Sequence, residues 1–472
     1  MALPHPQTGG NTVRSTIRLT VLALCLLLSI AHAEHIWWEA ENPVRTNIPE
    51  EIREEGKGES ERLSGGKWIL LQSDGEESFF LEYDVELVQG GTYHLFTRGI
   101  YLNDYRWRIG DSAWRDAGSS VDVGRAWEYA GSVDLKAGRK RLHIEVKPEW
   151  LAGLDCFVLT NELFHPRGLL KPNQRAARAP QGWLNFDPGV DRFGESPIDL
   201  RSMNEKEAGE RGFLRIEGDK VLFETRGQTA RFWAVNAHIS LASLPRVHVD
   251  YTARHLAKRG VNMVRLYGEV AVPSEPQSAE VVLKRLDDIL YYIAALKRQG
   301  IRTYLAVSFI PAGEDADRHQ VRMWSGSVYA GHPGYSDSVR SWWRGLFTED
   351  NPYTGIPLNE DPALSILKPG YFGYFWAMDY GSAVEADFAV WLTEKYGDIA
   401  DIREAWGITP DQDLDEQSLL KGGLVLHPEG TRPRDTAEFL ASRIKDTLQQ
   451  RTRFFRDICG YRGLIAGSPE RT

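Results

Sequence analysis

A chain of 472 residues, 42% hydrophobic and 26% charged, has enough apolar content for a large core and enough length for two or three domains. Its net charge of −10 and pI of about 5.7, with no basic stripe, exclude nucleic acid as the main partner. The 15 tryptophans are many for this length, and such rings serve two purposes: filling a core, or stacking on the apolar faces of sugars.

At the amino terminus, Arg14 and Arg18 precede the apolar run LTVLALCLLLSI, and the small-x-small triplet AHA follows it. This pattern predicts a signal peptide over residues 1–33, cleaved after Ala33. The run is too short to span a membrane, so the expected product is secreted or periplasmic, with no membrane partner after cleavage. Cleavage removes Cys25 and leaves Cys156 and Cys459, which fall in different expected domains, so a disulfide is not favoured.

Residues 34–164 read as short strands and turns. In FFLEYDVEL, Phe79, Leu81, Tyr83, Val85 and Leu87 share one face, and Glu82, Asp84 and Glu86 the other. KRLHIEV repeats the alternation with Leu142, Ile144 and Val146, and Gly90-Gly91 and Ala137-Gly138 mark turns. An antiparallel β-sandwich or jelly roll is expected. Within it, YLNDYRWRIGDSAWRDAG interleaves aromatics with Arg, Asp and Asn. Tyr105, Trp107 and Trp114, with Trp127 or Trp150, are therefore candidates for a ligand face, with core packing as the competing reading. The domain opens on WWEAEN and closes on GLDCFVLTN, and in this it resembles the carbohydrate-binding modules of the galactose-binding-like fold. The resemblance implies a carbohydrate partner and a structural calcium held by Glu39, Glu41 and Asp155, oxygen ligands that suit that ion. Three solvated surface acids are the alternative.

HPRGLLKPNQRAARAPQG, residues 165–182, reads as a linker, and 183–230 as a pre-barrel segment with the hairpin FLRIEGDKVLFETRGQTARFW. From residue 231 the grammar becomes strand, helix, strand. RFWAVNA, VNMVRLYG, IRTYLAVSF, DPALSIL and YRGLIAG are five strands. Between them lie helical stretches, among them the long AEVVLKRLDDILYYIAALKRQG, with Val282, Leu286, Ile289, Ile293 and Leu296 at helical spacing and Gly300 as its stop. Alternation of this kind predicts a parallel sheet with helices outside it.

From about Gly212 onward, RFWAVNA, LAKRGVNMVRLY, LKRQGIRTYLAVSF, NPYTGIPLNEDPAL and WLTEKYGDIADIREAWG together resemble the landmarks of cellulase-like glycoside hydrolases of clan A, with a (β/α)8 TIM-type barrel. A doubly wound sheet is the alternative, and no Gly-rich loop follows the first strand to support it. The resemblance implies retaining hydrolysis of an O-glycosidic bond without a catalytic cofactor. A Glu ending strand four is the acid and a Glu ending strand seven the nucleophile, about 5 Å apart. Arg265 stands where the family keeps an Arg that supports the nucleophile, and Tyr267 and Tyr371 are candidate substrate contacts.

The chain departs from the family in two places. DPALSIL runs into KPGYFGYFW, so the Asn-Glu place falls near Tyr371 and Phe372, neither a carboxylic acid. Asp379 in AMDYG is the best substitute, and Glu269 after the second strand is another. Glu385 and Asp387 suit a helix start, and Glu360 and Asp361 precede the strand, at its wrong end. Five barrel strands precede Thr472, so the barrel reads as incomplete and the strand-seven Glu is not found. The expectation is a secreted, glycoside hydrolase-like protein acting on a polysaccharide or oligosaccharide. The alternative is a catalytically inactive glycan-binding pseudoenzyme or a gene fragment.

Overall fold

The computed structural model describes residues 35–53, 60–72, 77–100, 105–117, 126–148, 151–172, 174, 181–183, 190–225, 227–273, 279–312, 333–368, 381–408 and 430–467. The expected signal peptide, Trp150, Tyr371 and Asp379 lie outside these residues. The chain divides into two compact units, residues 1–188 and 189–472.

The first unit is built from two antiparallel sheets. One runs in the order β1 (His35–Glu39), β10 (Leu151–Thr160), β5 (Gly91–Ile100), β8 (Ala126–Leu135), with β3 (Ile69–Gln72) also on β10. The other runs β2 (Arg45–Thr46), β4 (Phe79–Leu87), β9 (Gly138–Val146), β6 (Tyr105–Ile109), β7 (Arg115–Ala117). A short helix, α1 (Glu50–Arg53), follows β2. The alternation in β4 and β9 sets the register. Leu81 stands opposite Ile144, and Ile144 opposite Trp107, so three strands deliver their apolar residues to one face. These side chains share a core with Leu95 of β5 and Phe157 and Leu159 of β10, which joins the two sheets. Burying each aliphatic side chain contributes about 1.5–3 kcal/mol. The stretch read as a linker starts as part of this unit: the Trp127 indole N–H donates to the Gly168 carbonyl at 2.8 Å, and Lys171 lies 5.6 Å from the Trp37 ring.

The second unit opens with the hairpin β11 (Leu214–Glu217) and β12 (Lys220–Phe223). A parallel sheet follows in chain order: β13 (Ala234–His238), β14 (Met263–Pro273), β15 (Arg302–Ala312), β16 (Leu364–Leu367) and β17 (Leu464–Ile465). Its helices are α2 (Arg246–Lys258), α3 (Ala279–Arg298), α4 (Pro333–Thr348), α5 (Gly381–Tyr396), α6 (Ile399–Trp406) and α7 (Thr431–Arg453). Parallel neighbours need crossovers, and the helices supply them. One face of the sheet, with Val264, Leu266, Leu305, Val307 and Phe309, packs against Val249 and Ala253 of α2, Ile289 and Ile293 of α3, and Trp343 and Phe347 of α4.

At the amino ends of the strands the opposite, inner face is apolar. There Met263, Tyr304, Ile366 and Leu464 meet Leu214 and Phe223 of the hairpin. The described strands form this five-stranded sheet, and a closed eight-stranded barrel is not seen among them. The hairpin thereby covers the amino-end part of the inner face. Below it, the buried Arg302 clamps the unit: it pairs with both carboxylate oxygens of Glu205 at 2.7 and 2.8 Å and donates to the carbonyls of Gly212 and Pro362 at 3.0 Å. Gly300, which ends α3, has φ +70, and a Cβ there would lie 1.8 Å from the Glu205 carbonyl oxygen.

Candidate functional site

In a parallel α/β sheet, ligands bind at the carboxyl ends of the strands. The register puts Asn236, Arg265, Tyr304, Ile366 and Leu464 in one row across the inner face. One step nearer the carboxyl ends, His238, Tyr267 and Ala306 form the next row, which Lys368 continues after β16. A further step pairs position 269 with Ser308.

Arg265 lies 5.7 Å from the Tyr267 ring and 5.6 Å from the Tyr304 ring, so two aromatic faces flank its guanidinium. The His238 ring meets Tyr267 edge-on at 5.3 Å. Its Nδ1 accepts the Ser240 backbone N–H at 3.2 Å and lies 2.9 Å from the Ser240 hydroxyl. Burial, reinforced by the Arg285 charge, holds the His238 pKa below its ordinary value. With Nδ1 accepting, the neutral ring carries its proton on Nε2 as a donor. Lys368 and Ser308 are both buried. The row is thus rich in donors: guanidinium, imidazole N–H, phenol and ammonium. Donors and flat rings together can bind and orient an oxygen-rich ligand. Among the described side chains of these rows there is no carboxylate to act as general acid.

The structure therefore brings Arg265 and Tyr267 together, as two alternate residues of one strand must be. Position 269 follows on the same strand, two residues past Tyr267. His238 and Lys368 escaped the sequence reading. Their signal is positional, as each closes a parallel strand. Asp361 lies at the amino end of β16, buried, accepting the Lys297 ammonium at 3.0 Å and the Ala363 N–H at 2.9 Å.

In the first unit, Tyr105 and Trp107 are core residues and not a ligand face. Trp107 is 0% exposed, and its indole N–H donates to the Ala130 carbonyl at 2.8 Å. Tyr105 is buried, with its hydroxyl 2.9 Å from that of Thr97. Both point inward because they alternate with Arg106 and Arg108 on β6. Trp114 is exposed at 36%, with the guanidinium groups of Arg106 and Arg108 at 4.7 and 4.6 Å from its ring. Trp127 is half-buried against Trp37 and Phe164. Cys156 and Cys459 are buried free thiols.

The three acids expected to hold calcium do lie near one another. Asp155 is placed by a β-bulge, where the pairing of β10 with β5 skips from Leu154 to Cys156. Its Oδ1 accepts the Ser64 N–H at 2.8 Å and its Oδ2 pairs with the buried Arg98 guanidinium. Burial raises the Asp155 pKa, and Arg98 opposes the rise. Glu39 accepts the Lys171 ammonium at 2.7 Å. Glu41 is pushed up to about 7 by burial, and the charges of Glu39 and Asp155 add to the rise. Glu39 Oε2 and Glu41 Oε2 are buried without partners. Of the carboxylate oxygens that such an ion would gather, Asp155 Oδ2 and Glu39 Oε1 already face cations, Arg98 and Lys171. Among the described residues no group of three His, Cys, Asp or Glu side chains has metal-ligand spacing. The residues present do not fit the implied calcium.

No family model and no curated protein matches the chain. Solved structures do. A CBM35 from Cellvibrio japonicus Abf62 is similar over 27% of this chain and 92% of that one, at 11% identity and a TM-score of 0.22. A family 35 carbohydrate-binding module from Clostridium thermocellum is similar over 27% of this chain and 98% of its own, at 14% identity and 0.21. The Podospora anserina GH26-CBM35 β-(1,4)-mannanase is similar over 76% of this chain and 84% of its own, at 13% identity and 0.22. Identity and TM-score are low in all three. Among the described residues no helix is long and apolar enough to cross a membrane.

Proposed function

We propose that this is an exported carbohydrate-active protein: a sugar-binding sandwich joined to a glycoside hydrolase-like unit that takes a polysaccharide or oligosaccharide. The observation that carries the reading is the row His238, Tyr267 and Lys368 above Arg265 at the strand carboxyl ends, where donors and aromatic rings face one side of the sheet. Sugars ask for that mixture, because their hydroxyls bond to donors and their apolar faces lie on rings. The family phrases from Gly212 onward point the same way.

A second reading, binding without hydrolysis, is favoured by one specific observation. Lys368 directly follows strand four, and Tyr371 and Phe372 stand in sequence where the family has Asn-Glu. Retaining hydrolysis needs two carboxyl groups about 5 Å apart. Asp379 and Glu269 are the residues to test for that role. Incubating the full chain with a panel of soluble polysaccharides, scored both for retardation in affinity gels and for released reducing ends, separates the readings. Retardation with release that disappears in Asp379→Asn or Glu269→Gln supports the hydrolase. Retardation without release supports the binder, and neither signal from a folded chain overturns both.

A further inference from the structure

Asp155 is fully buried, and a buried carboxylate must be paired. Both of its oxygens are taken, one by the Ser64 N–H and one by Arg98. Arg98 is itself buried, and its second terminal nitrogen donates to the Arg62 carbonyl at 3.2 Å. The loop carrying Arg62 and Ser64 is thereby fastened to the bulge of β10 from two directions. Such a clasp between a loop and a strand end is work that a bound cation can do, by gathering oxygens from both. Here a guanidinium does it. On the other side of the cluster, Lys171 reaches Glu39. A dication entering would meet the Arg98 charge beside Asp155 and the Lys171 charge on Glu39.

We propose that the sandwich neutralises two acids of this cluster from within, Arg98 on Asp155 and Lys171 on Glu39, and keeps its fold without a divalent cation. Arg98 is a positioning residue: it holds Asp155, and through Asp155 the 60–66 loop.

The test is thermal unfolding of the full chain in excess EDTA and in millimolar calcium, with calorimetric titration of calcium into the chelated protein. The expected result is a midpoint change below about 1 °C and no saturable heat. A rise above about 5 °C, or saturable binding that Asp155→Asn removes, overturns the proposal. A cycle of Arg98→Met, Asp155→Leu and the double variant provides a readout of the pair itself. Removing one partner strands a buried charge, so the double variant is expected to unfold above either single one. Additive losses overturn the pairing. If the single variants do not fold, the calcium titration of the unmodified chain still decides.

Discussion

Replacing Trp107 by Ala tests the placement of the β6 aromatics most severely. The indole fills the sandwich core at 0% exposure, opposite Ile144 on β9, and Gly131 of β8 lies flat against it: a Cβ there would come within 3.4 Å of the ring. Truncation removes the transfer free energy of a large ring and leaves a cavity, a loss of about 3–5 kcal/mol. It also strands the Ala130 carbonyl that now accepts the indole N–H at 2.8 Å. For a unit of this size the unfolding midpoint should fall by about 10 °C or more. Trp107→Phe keeps one aromatic ring but loses the pyrrole half of the indole with its N–H, so an intermediate loss of about 2–3 kcal/mol is expected. Scanning calorimetry of the full chain, alongside polysaccharide retardation at 20 °C below the lowest midpoint, reads both effects. A Trp107→Ala chain that melts unchanged but no longer binds glycan would refute the core assignment.

Asp435, buried on α7, accepts the Lys395 ammonium at 2.9 Å, the Tyr396 hydroxyl at 2.9 Å and the Trp406 indole N–H at 2.6 Å, so it fastens α5, α6 and α7 together. Asp435→Ala should lower the urea midpoint of the second unit, a loss of about 3 kcal/mol. Gly300→Ala should cost at least about 2 kcal/mol, because both its φ of +70 and the nearby Glu205 carbonyl resist a side chain; full stability of that variant in urea would contradict the tight turn. Glu41 titrates near 7 in the folded chain against 4.5 ordinarily. Its contribution to stability is therefore complete below pH 4.5 and lost as pH rises through 7. Melting curves between pH 4.5 and 8 should show a fall that Glu41→Gln flattens, and an unchanged slope in that variant would show the group is not shifted.

Much of this architecture was legible in sequence. FFLEYDVEL and KRLHIEV alternate because one face is buried and the other wet, so their strands were plain. The helical spacing in α3 and the strand-helix alternation after residue 231 predicted the parallel sheet. In sequence, the facing of the aromatics stays open between a ligand face and core packing. Tyr105-Arg-Trp107-Arg-Ile109 is an alternating strand with Tyr105, Trp107 and Ile109 buried, which decides for the core. The role of Arg98 was illegible for another reason. The bulge that aims Asp155 at it is a mismatch between two ladders, set by register, and composition does not record register. The same holds at the strand ends, where Arg265 and Tyr267 could be found two apart on one strand, whereas His238 and Lys368 join them only once four strands are aligned.

The central claim is that the inner-face row engages a glycan. The most direct measurement is retardation of the full chain by a polysaccharide panel, compared with the variant carrying Arg265→Met and Tyr267→Ala, with circular dichroism to confirm folding. The claim predicts retardation by at least one polysaccharide, weakened roughly tenfold or more in the variant, about 1.4 kcal/mol. A folded variant that binds every retarding polysaccharide as tightly as the unmodified chain would contradict it.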